Sequence, residues 1–266
     1  MASKSASAQA GAPIYPGMKD KVALVTGGSS GIGLATARAF ARQGAKVVIA
    51  SRGEATARSA LKALAREGDV QWQATDVAQG TSVARLIDTI MGKHGRLDYA
   101  FNNGGSGGRS APVSNMTESA WRKTIDGFLT SAFLCMNAEI PAMQKSGAGV
   151  IVNNASVDGL RGYPFPGGAA YSAAKHGVIG LTRSAALEHA AGGPRICAIC
   201  PGWIDTPPVM NWMKRDKDVA AAILEQTPRG RLGSADEIAA AVLWLCSDAA
   251  SFAVGTIMAV DGGYMA

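Results

Sequence analysis

The sequence predicts one doubly wound α/β domain, built on a parallel sheet of about seven strands. Three observations carry this. Short β-branched runs alternate with longer segments of helical spacing from residue 21 to residue 260, and that alternation implies crossover connections between parallel strands. The strand runs are apolar almost throughout, as strands covered on both faces require. No linker-like composition interrupts the pattern after residue 20, so the 266 residues divide into an N-terminal tail over 1–18 and a single domain over 19–266.

Each element follows in order. Residues 21–26 (KVALVT) form a β-branched run that ends in glycines. Residues 31–43 carry Ile32, Ala35, Ala39 and Phe40 at helical spacing, and Gly44 ends that helix. Residues 46–51 (KVVIAS) give a second strand, 55–66 a helix, 70–75 a third strand, 81–94 a helix and 97–101 a fourth strand. One long helix is expected over 118–143. Residues 150–154 form the fifth strand, 171–190 a helix, 195–199 the sixth strand, 235–247 a helix and 256–260 the seventh strand.

Composition narrows the class. Hydrophobic residues make up 47% and charged residues 17% of the chain, enough for a sizeable core. The net charge of +6 is spread along the chain without an aromatic-basic cluster, which argues against nucleic acid as a partner. Cys135, Cys197, Cys200 and Cys246 lie in apolar stretches and read as reduced core residues of a cytoplasmic protein. His94, His176 and His189 lack metal-ligand spacing, so no metal is expected. The Ala/Ser/Gly/Pro-rich tail lacks the apolar core of a signal peptide, and no apolar run is long enough to span a bilayer.

The first strand leads into Thr26-Gly27-Gly28-Ser29-Ser30-Gly31-Ile32-Gly33 and then a helix. Glycines let the backbone turn tightly and approach a pyrophosphate, which the helix N-terminus receives through free N–H groups and its dipole. Between a strand and a helix this cluster points to a dinucleotide site, and makes the domain Rossmann-type. The second strand ends Ala50-Ser51-Arg52. An acid at that tip would bind the ribose hydroxyls of NAD, whereas Arg52 can pair with a 2′-phosphate and Ser51 can add a hydrogen bond. The expected cofactor is therefore NADP rather than NAD.

Tyr171 and Lys175 lie four apart at the start of a helix, on one face. An ammonium beside a phenol favours the phenolate and brings the tyrosine closer to working pH. Ser156 follows the fifth strand at the carboxyl end of the sheet, where such folds bind ligands, and can hydrogen-bond a reacting oxygen.

Taken with Asp76-Val77, Asn102-Asn103-Gly104-Gly105, Pro201-Gly202-Trp203-Ile204-Asp205-Thr206 and Asp261-Gly262-Gly263, these motifs resemble the short-chain dehydrogenase/reductase family over about residues 19–263. The resemblance implies that Ser156, Tyr171 and Lys175 are catalytic, with Tyr171 as acid/base, and that Tyr171 and Lys175 also touch the cofactor. It implies that Asp76 and Val77 flank the adenine and that Asn103, Gly104 and Gly105 lie under the cofactor. Pro201, Gly202, Ile204 and Thr206 would stand near the nicotinamide. A homotetramer (or dimer) built on the long helices is implied as well.

Three departures stand out. Gly104 replaces an alanine usual in the family. Ser156 and Tyr171 are two residues further apart than usual, with Tyr163-Pro164-Phe165-Pro166-Gly167-Gly168 forming an enlarged loop beside the pocket. Phe128 falls where the family has an asparagine that helps hold a water leading to the lysine. In residues 207–225, where the family has a mobile substrate loop, Val209, Met210, Trp212 and Met213 form an apolar cluster. With Phe128, Asp158, Phe165 and Trp203 these make a candidate pocket for a hydrophobic small-molecule substrate. The leading expectation is interconversion of a hydrophobic ketone or aldehyde and its alcohol. Reduction of a C=N or activated C=C bond on the same scaffold is the alternative, and a catalytically weak dinucleotide-binding sensor a further one.

Overall fold

In the computed structural model, which describes residues 14–266, seven strands form one sheet. They are β1 (Val22–Thr26), β2 (Lys46–Ser51), β3 (Val70–Ala74), β4 (Tyr99–Asn102), β5 (Val150–Asn154), β6 (Arg195–Pro201) and β7 (Ile257–Val260). Their order is β3-β2-β1-β4-β5-β6-β7, with every pairing parallel. The chain reverses direction across the sheet between β3 and β4, so β1 and β4 flank the switch point where ligands bind in such folds.

The helices are α1 (Gly31–Arg42), α2 (Glu54–Leu64), α3 (Gly80–His94), α4 (Glu118–Ile125), α5 (Ser131–Lys145), α6 (Ala169–His189), α7 (Pro207–Arg215), α8 (Lys217–Glu225) and α9 (Ala235–Cys246). The pleat of β1 sorts its side chains two ways. Ala23 and Val25 join a core with Phe40 of α1 and Val242 of α9, while Val22 and Leu24 join a core with Leu86 of α3 and Met136 of α5. This is the period-2 alternation of a strand buried on both faces. The edge strands β3 and β7 are only half-buried, and Gln71 and Gln73 sit among the apolar positions of β3. The four cysteines are free and buried. Cys197 and Cys200 are three apart along β6, so they face opposite sides of the sheet and pack into different clusters.

Residues 1–13 of the expected tail lie outside the described residues. Within the expected tail two residues are tied to the domain: the Tyr15 amide donates to Gln43 Oε1 at 2.7 Å, and Met18 is a core residue. The long helix expected over 118–143 is divided by a π-helical segment, Asp126–Thr130. A Cβ on Gly127 would stand 1.8 Å from Ser106 O, so the loop after β4 presses against the helix at that point, and π-bulges commonly mark functional sites. Residues 207–225 are two helices, α7 and α8, rather than a loop. Asp216 caps α8, its Oδ1 accepting from the amides of Asp218 and Val219. Among the described residues no helix is long and apolar enough to cross a membrane.

Beneath the switch point lies a buried polar cluster. Asn102 Nδ2 donates to Glu139 Oε2 at 2.9 Å and to Asn153 Oδ1 at 3.1 Å. Burial pushes the Glu139 carboxyl up from 4.5 to about 7.

Candidate active site

β1 ends at Thr26, and the chain turns at Gly27 with φ 66°, a conformation that favours glycine. At Gly33 a Cβ would stand 2.3 Å from Gly27 O, so only glycine lets α1 start this close to the turn. Thr26 Oγ1 accepts from the amides of Asn103 (3.0 Å) and Gly104 (2.9 Å), and Asn103 Nδ2 donates to Thr26 O at 3.1 Å. These bonds join the glycine-rich loop to the loop after β4. Gly104 faces Gly27 N, where a Cβ would stand at 3.0 Å.

Ser30 precedes α1 without a side-chain cap, leaving the first helical amides available to an anion. A cleft of about 600 Å³ opens there, walled by Gly27, Ser29, Ser30, Ser51, Arg52, Asp76, Val77, Gly104 and Gly105. The bare helix terminus, the glycine cradle and the size of the cleft fit a dinucleotide. Ser51 Oγ already accepts from Trp72 Nε1 at 3.1 Å. Arg52 is exposed at the tip of β2 and takes part in none of the ion pairs among the described residues.

Ser156, Tyr171 and Lys175 converge at the carboxyl end of β5. Lys175 is buried, and its Nζ donates to Asn154 O at 2.6 Å. Asn154 Nδ2 in turn donates to Asn103 Oδ1 at 2.9 Å, which ties the lysine to the loop after β4. Burial lowers Lys175 to about 8. Desolvation pushes the Tyr171 phenol well above its ordinary value, the Asp158 carboxyl adds to this, and a hydrogen bond with Ser156 pulls the other way. The phenolate expected from Lys175 alone is thus outweighed by desolvation in this state.

Two neighbours shape the triad. Phe128 stands in the π-helical segment, its ring edge-to-face with Tyr171 at 5.0 Å and its face toward Lys175 Nζ, also at 5.0 Å. A cavity of about 10 Å³, bounded by Phe128, Asn154, Ser131 and Lys175, lies behind the ring, room for about one water. Asp158 is buried, and burial raises its carboxyl above the usual carboxylate range.

A larger cavity of about 420 Å³ is walled by Phe128, Tyr163, Trp203, Trp212, Met116 and Val209, with Ser156, Asp158 and Tyr171 as polar groups. Ile32, Pro201, Gly202, Ile204 and Thr206 line this cavity rather than the dinucleotide cleft. Three of the expected pocket residues, Phe165, Met210 and Met213, lie outside the lining of this cavity. Phe165 stands behind the wall, against Trp203 (5.9 Å) and Trp212 (5.1 Å). Met210 is 37% exposed, and neither it nor Met213 lines the cavity, because α7 turns Val209 and Trp212 inward instead. Sequence reasoning missed Asn154, which acts through a backbone carbonyl that no side-chain pattern reveals. It also missed Met116 and Arg109, which reach the cavity from the irregular segment after β4.

Residues 27–265 match the family described as enoyl-(acyl carrier protein) reductase. The chain is 44% identical over 248 residues to cis-4-hydroxycyclohexanecarboxylate dehydrogenase of Sinomonas cyclohexanicum, covering 93% of this chain and 97% of the relative. It is 38% identical over 246 residues to cyclohexanol dehydrogenase of Acinetobacter sp. (strain SE19), covering 92% and 95%. Among solved structures, levodione reductase superposes with a TM-score of 0.86 at 37% identity, covering 92% of this chain and 97% of that one.

Proposed function

Because the chain belongs to the short-chain dehydrogenase/reductase family and is an oxidoreductase, we propose that it uses NADP(H) to interconvert a hydrophobic, alicyclic ketone and its secondary alcohol, with Tyr171 as acid/base. The observation that carries this reading is the placement of Ser156 and Tyr171 in the wall of a 420 Å³ cavity beside the aromatic and aliphatic side chains of Phe128, Tyr163, Trp203, Trp212, Met116 and Val209. With the nicotinamide end occupying part of it, a cavity of that size leaves room for a compact apolar ring, and cyclohexane-ring alcohols are the substrates in the names of two relatives.

The nicotinamide, when bound, supplies or takes the hydride. Gly27, Ser29, Ser30, Gly31, Gly33, Asp76, Val77, Asn103, Gly104 and Gly105 would hold the dinucleotide, with Arg52 and Ser51 at its 2′-phosphate. Ile32, Pro201, Gly202, Ile204 and Thr206 would hold its nicotinamide end. In the direction of reduction Tyr171 gives its phenolic proton to the carbonyl oxygen, and Ser156 donates a hydrogen bond to the same oxygen. The raised Tyr171 phenol keeps that proton near neutral pH. Lys175 stands beside Tyr171, its Nζ 5.5 Å from the ring centroid, and burial lowers it to about 8, so it can return a proton to the phenolate; the one-water cavity opens onto the lysine. Trp203 and Trp212 exclude water from the reacting centre, and Phe128 closes the side nearest the lysine.

Exposed Phe133 on α5 and Leu187 on α6 support a homotetramer (or dimer) through the long helices. A second reading, reduction of an activated C=C or C=N bond, is favoured by the apolar ring at position 128. The decisive experiment is turnover with NADPH across cyclic ketones, enones and imines. Ketone turnover above the other two classes is expected, and enone or imine turnover above ketones would reverse the order of the readings. Tyr171→Phe should abolish ketone turnover while NADPH still binds, and Ser156→Ala should lower kcat about 10²-fold, as loss of a transition-state donor does.

A further inference from the structure

We propose that Asp158 is a positioning residue for the reaction, its carboxyl deciding whether the Ser156 hydroxyl points toward it or toward the reacting oxygen. This rests on the proposed role of Ser156 and Tyr171. The geometry is specific. Asp158 Oδ2 stands 3.1 Å from Ser156 Oγ, and the Asp158 amide donates to that same oxygen at 3.1 Å. The amide takes one acceptor site of the hydroxyl, so the hydroxyl proton has two destinations: Asp158 Oδ2 or the open cavity, where Tyr171 and the substrate oxygen stand.

Which one it takes depends on the charge of Asp158. A carboxylate accepts only, so an ionised Asp158 draws the Ser156 proton to itself and removes a donor from the reacting oxygen. A neutral carboxylic acid donates to Ser156 Oγ and frees the serine proton for the substrate. Asp158 Oδ1 is buried without a partner, and leaving a charged oxygen in that state is costly, which favours the neutral form. The groups facing the carboxyl are Arg161, Lys175 and His176, which favour the charge, and Tyr163, Tyr171 and Tyr264. Burial outweighs the three basic groups and raises Asp158. The carboxyl itself is fixed by its backbone, since Asp158 O accepts from Ser172 Oγ at 2.7 Å.

The test compares pH profiles of kcat for the wild type, Asp158→Asn and Asp158→Leu. Asparagine keeps the shape, can donate to Ser156 and does not ionise. In the wild type, kcat should fall about 10²-fold as Asp158 ionises, as for losing one donor. Asp158→Asn should keep its low-pH rate across that step, while KM for NADPH is unchanged. Asp158→Leu offers the Ser156 hydroxyl no acceptor, so its kcat should also lack the alkaline step. The wild type should show an infrared carbonyl band of a protonated carboxylic acid that Asp158→Asn loses, while the band of buried Glu139 remains in both. If Asp158→Leu does not fold, the asparagine variant decides alone. A wild-type profile retained in Asp158→Asn, or no change in the infrared band, overturns the proposal. If Tyr171→Phe keeps ketone turnover, the underlying reading fails; if that variant is inactive and Asp158→Asn still follows the wild type, only the role of Asp158 fails.

Discussion

Replacing Phe128 by leucine should lower the pH at which Lys175 loses its proton. The ring face stands 5.0 Å from Lys175 Nζ, within the distance at which an aromatic ring attracts an ammonium, and such contacts are worth ~0.5–2 kcal/mol. At about 1.4 kcal/mol per tenfold change in a proton equilibrium, losing the ring moves the lysine midpoint down by roughly 0.4–1.5 pH. That midpoint begins near 8, so more of the lysine becomes neutral at neutral pH. Leucine is apolar and lacks a π face, so it removes the attraction without supplying a hydrogen bond. The assay is the pH dependence of kcat for ketone reduction, read alongside NADPH affinity and melting temperature. The expected result is an alkaline limb shifted down by that amount. Phe128→Asn should instead raise kcat, because an amide beside the one-water cavity can order the water that reaches Lys175. An unshifted limb in Phe128→Leu refutes the cation–π argument. A stable Phe128→Asn variant that is no faster shows that Phe128 is packing only.

Arg52→Ala should narrow the preference for NADP(H) over NAD(H) by roughly 1–3 kcal/mol, the range for charge-assisted hydrogen bonds; equal dissociation constants for both cofactors in the unmodified protein would refute the assignment. Gly33→Ala should abolish dinucleotide binding, since its Cβ would meet Gly27 O at 2.3 Å and backbone cannot yield as a flexible side chain can; retained affinity by titration calorimetry counts against the cradle. Glu139 should make stability depend on pH. Its carboxyl is raised from 4.5 to about 7, so the folded state holds the proton more tightly. That contribution is complete below about 4.5 and lost as pH rises through about 7, for a total of about 3 kcal/mol. Urea unfolding between pH 4 and 8 should show this slope in the wild type and not in Glu139→Gln; parallel curves would refute it.

The strands were legible because their apolar runs are local signals, and the glycine cluster was legible because its chemistry demands that spacing. Tyr171 and Lys175 were legible because four residues on a helix fix one face. What was not legible depends on contacts between distant segments. The π-helical break at Asp126–Thr130 answers the pressure of Ser106 on Gly127, twenty-one residues away in sequence. The facing of α7 decides between Trp212 and Met210, and composition alone scores both as apolar. The part played by Asn154 is carried by a carbonyl, which every residue possesses. Cys197 and Cys200 were legible as separate core residues, since positions three apart on a strand face opposite sides of the sheet.

The aromatic wall of the cavity also makes the protein its own optical probe. Two of its five tryptophans, Trp203 and Trp212, stand 5.9 Å apart in that wall, while Trp72, Trp121 and Trp244 lie outside it. Indole emission follows the polarity around the ring, so an apolar ligand that displaces water from the cavity should shift it to shorter wavelength. Candidate ring compounds can therefore be ranked by fluorescence titration before any turnover is measured, with Trp212→Phe as the control that removes one emitter from the wall.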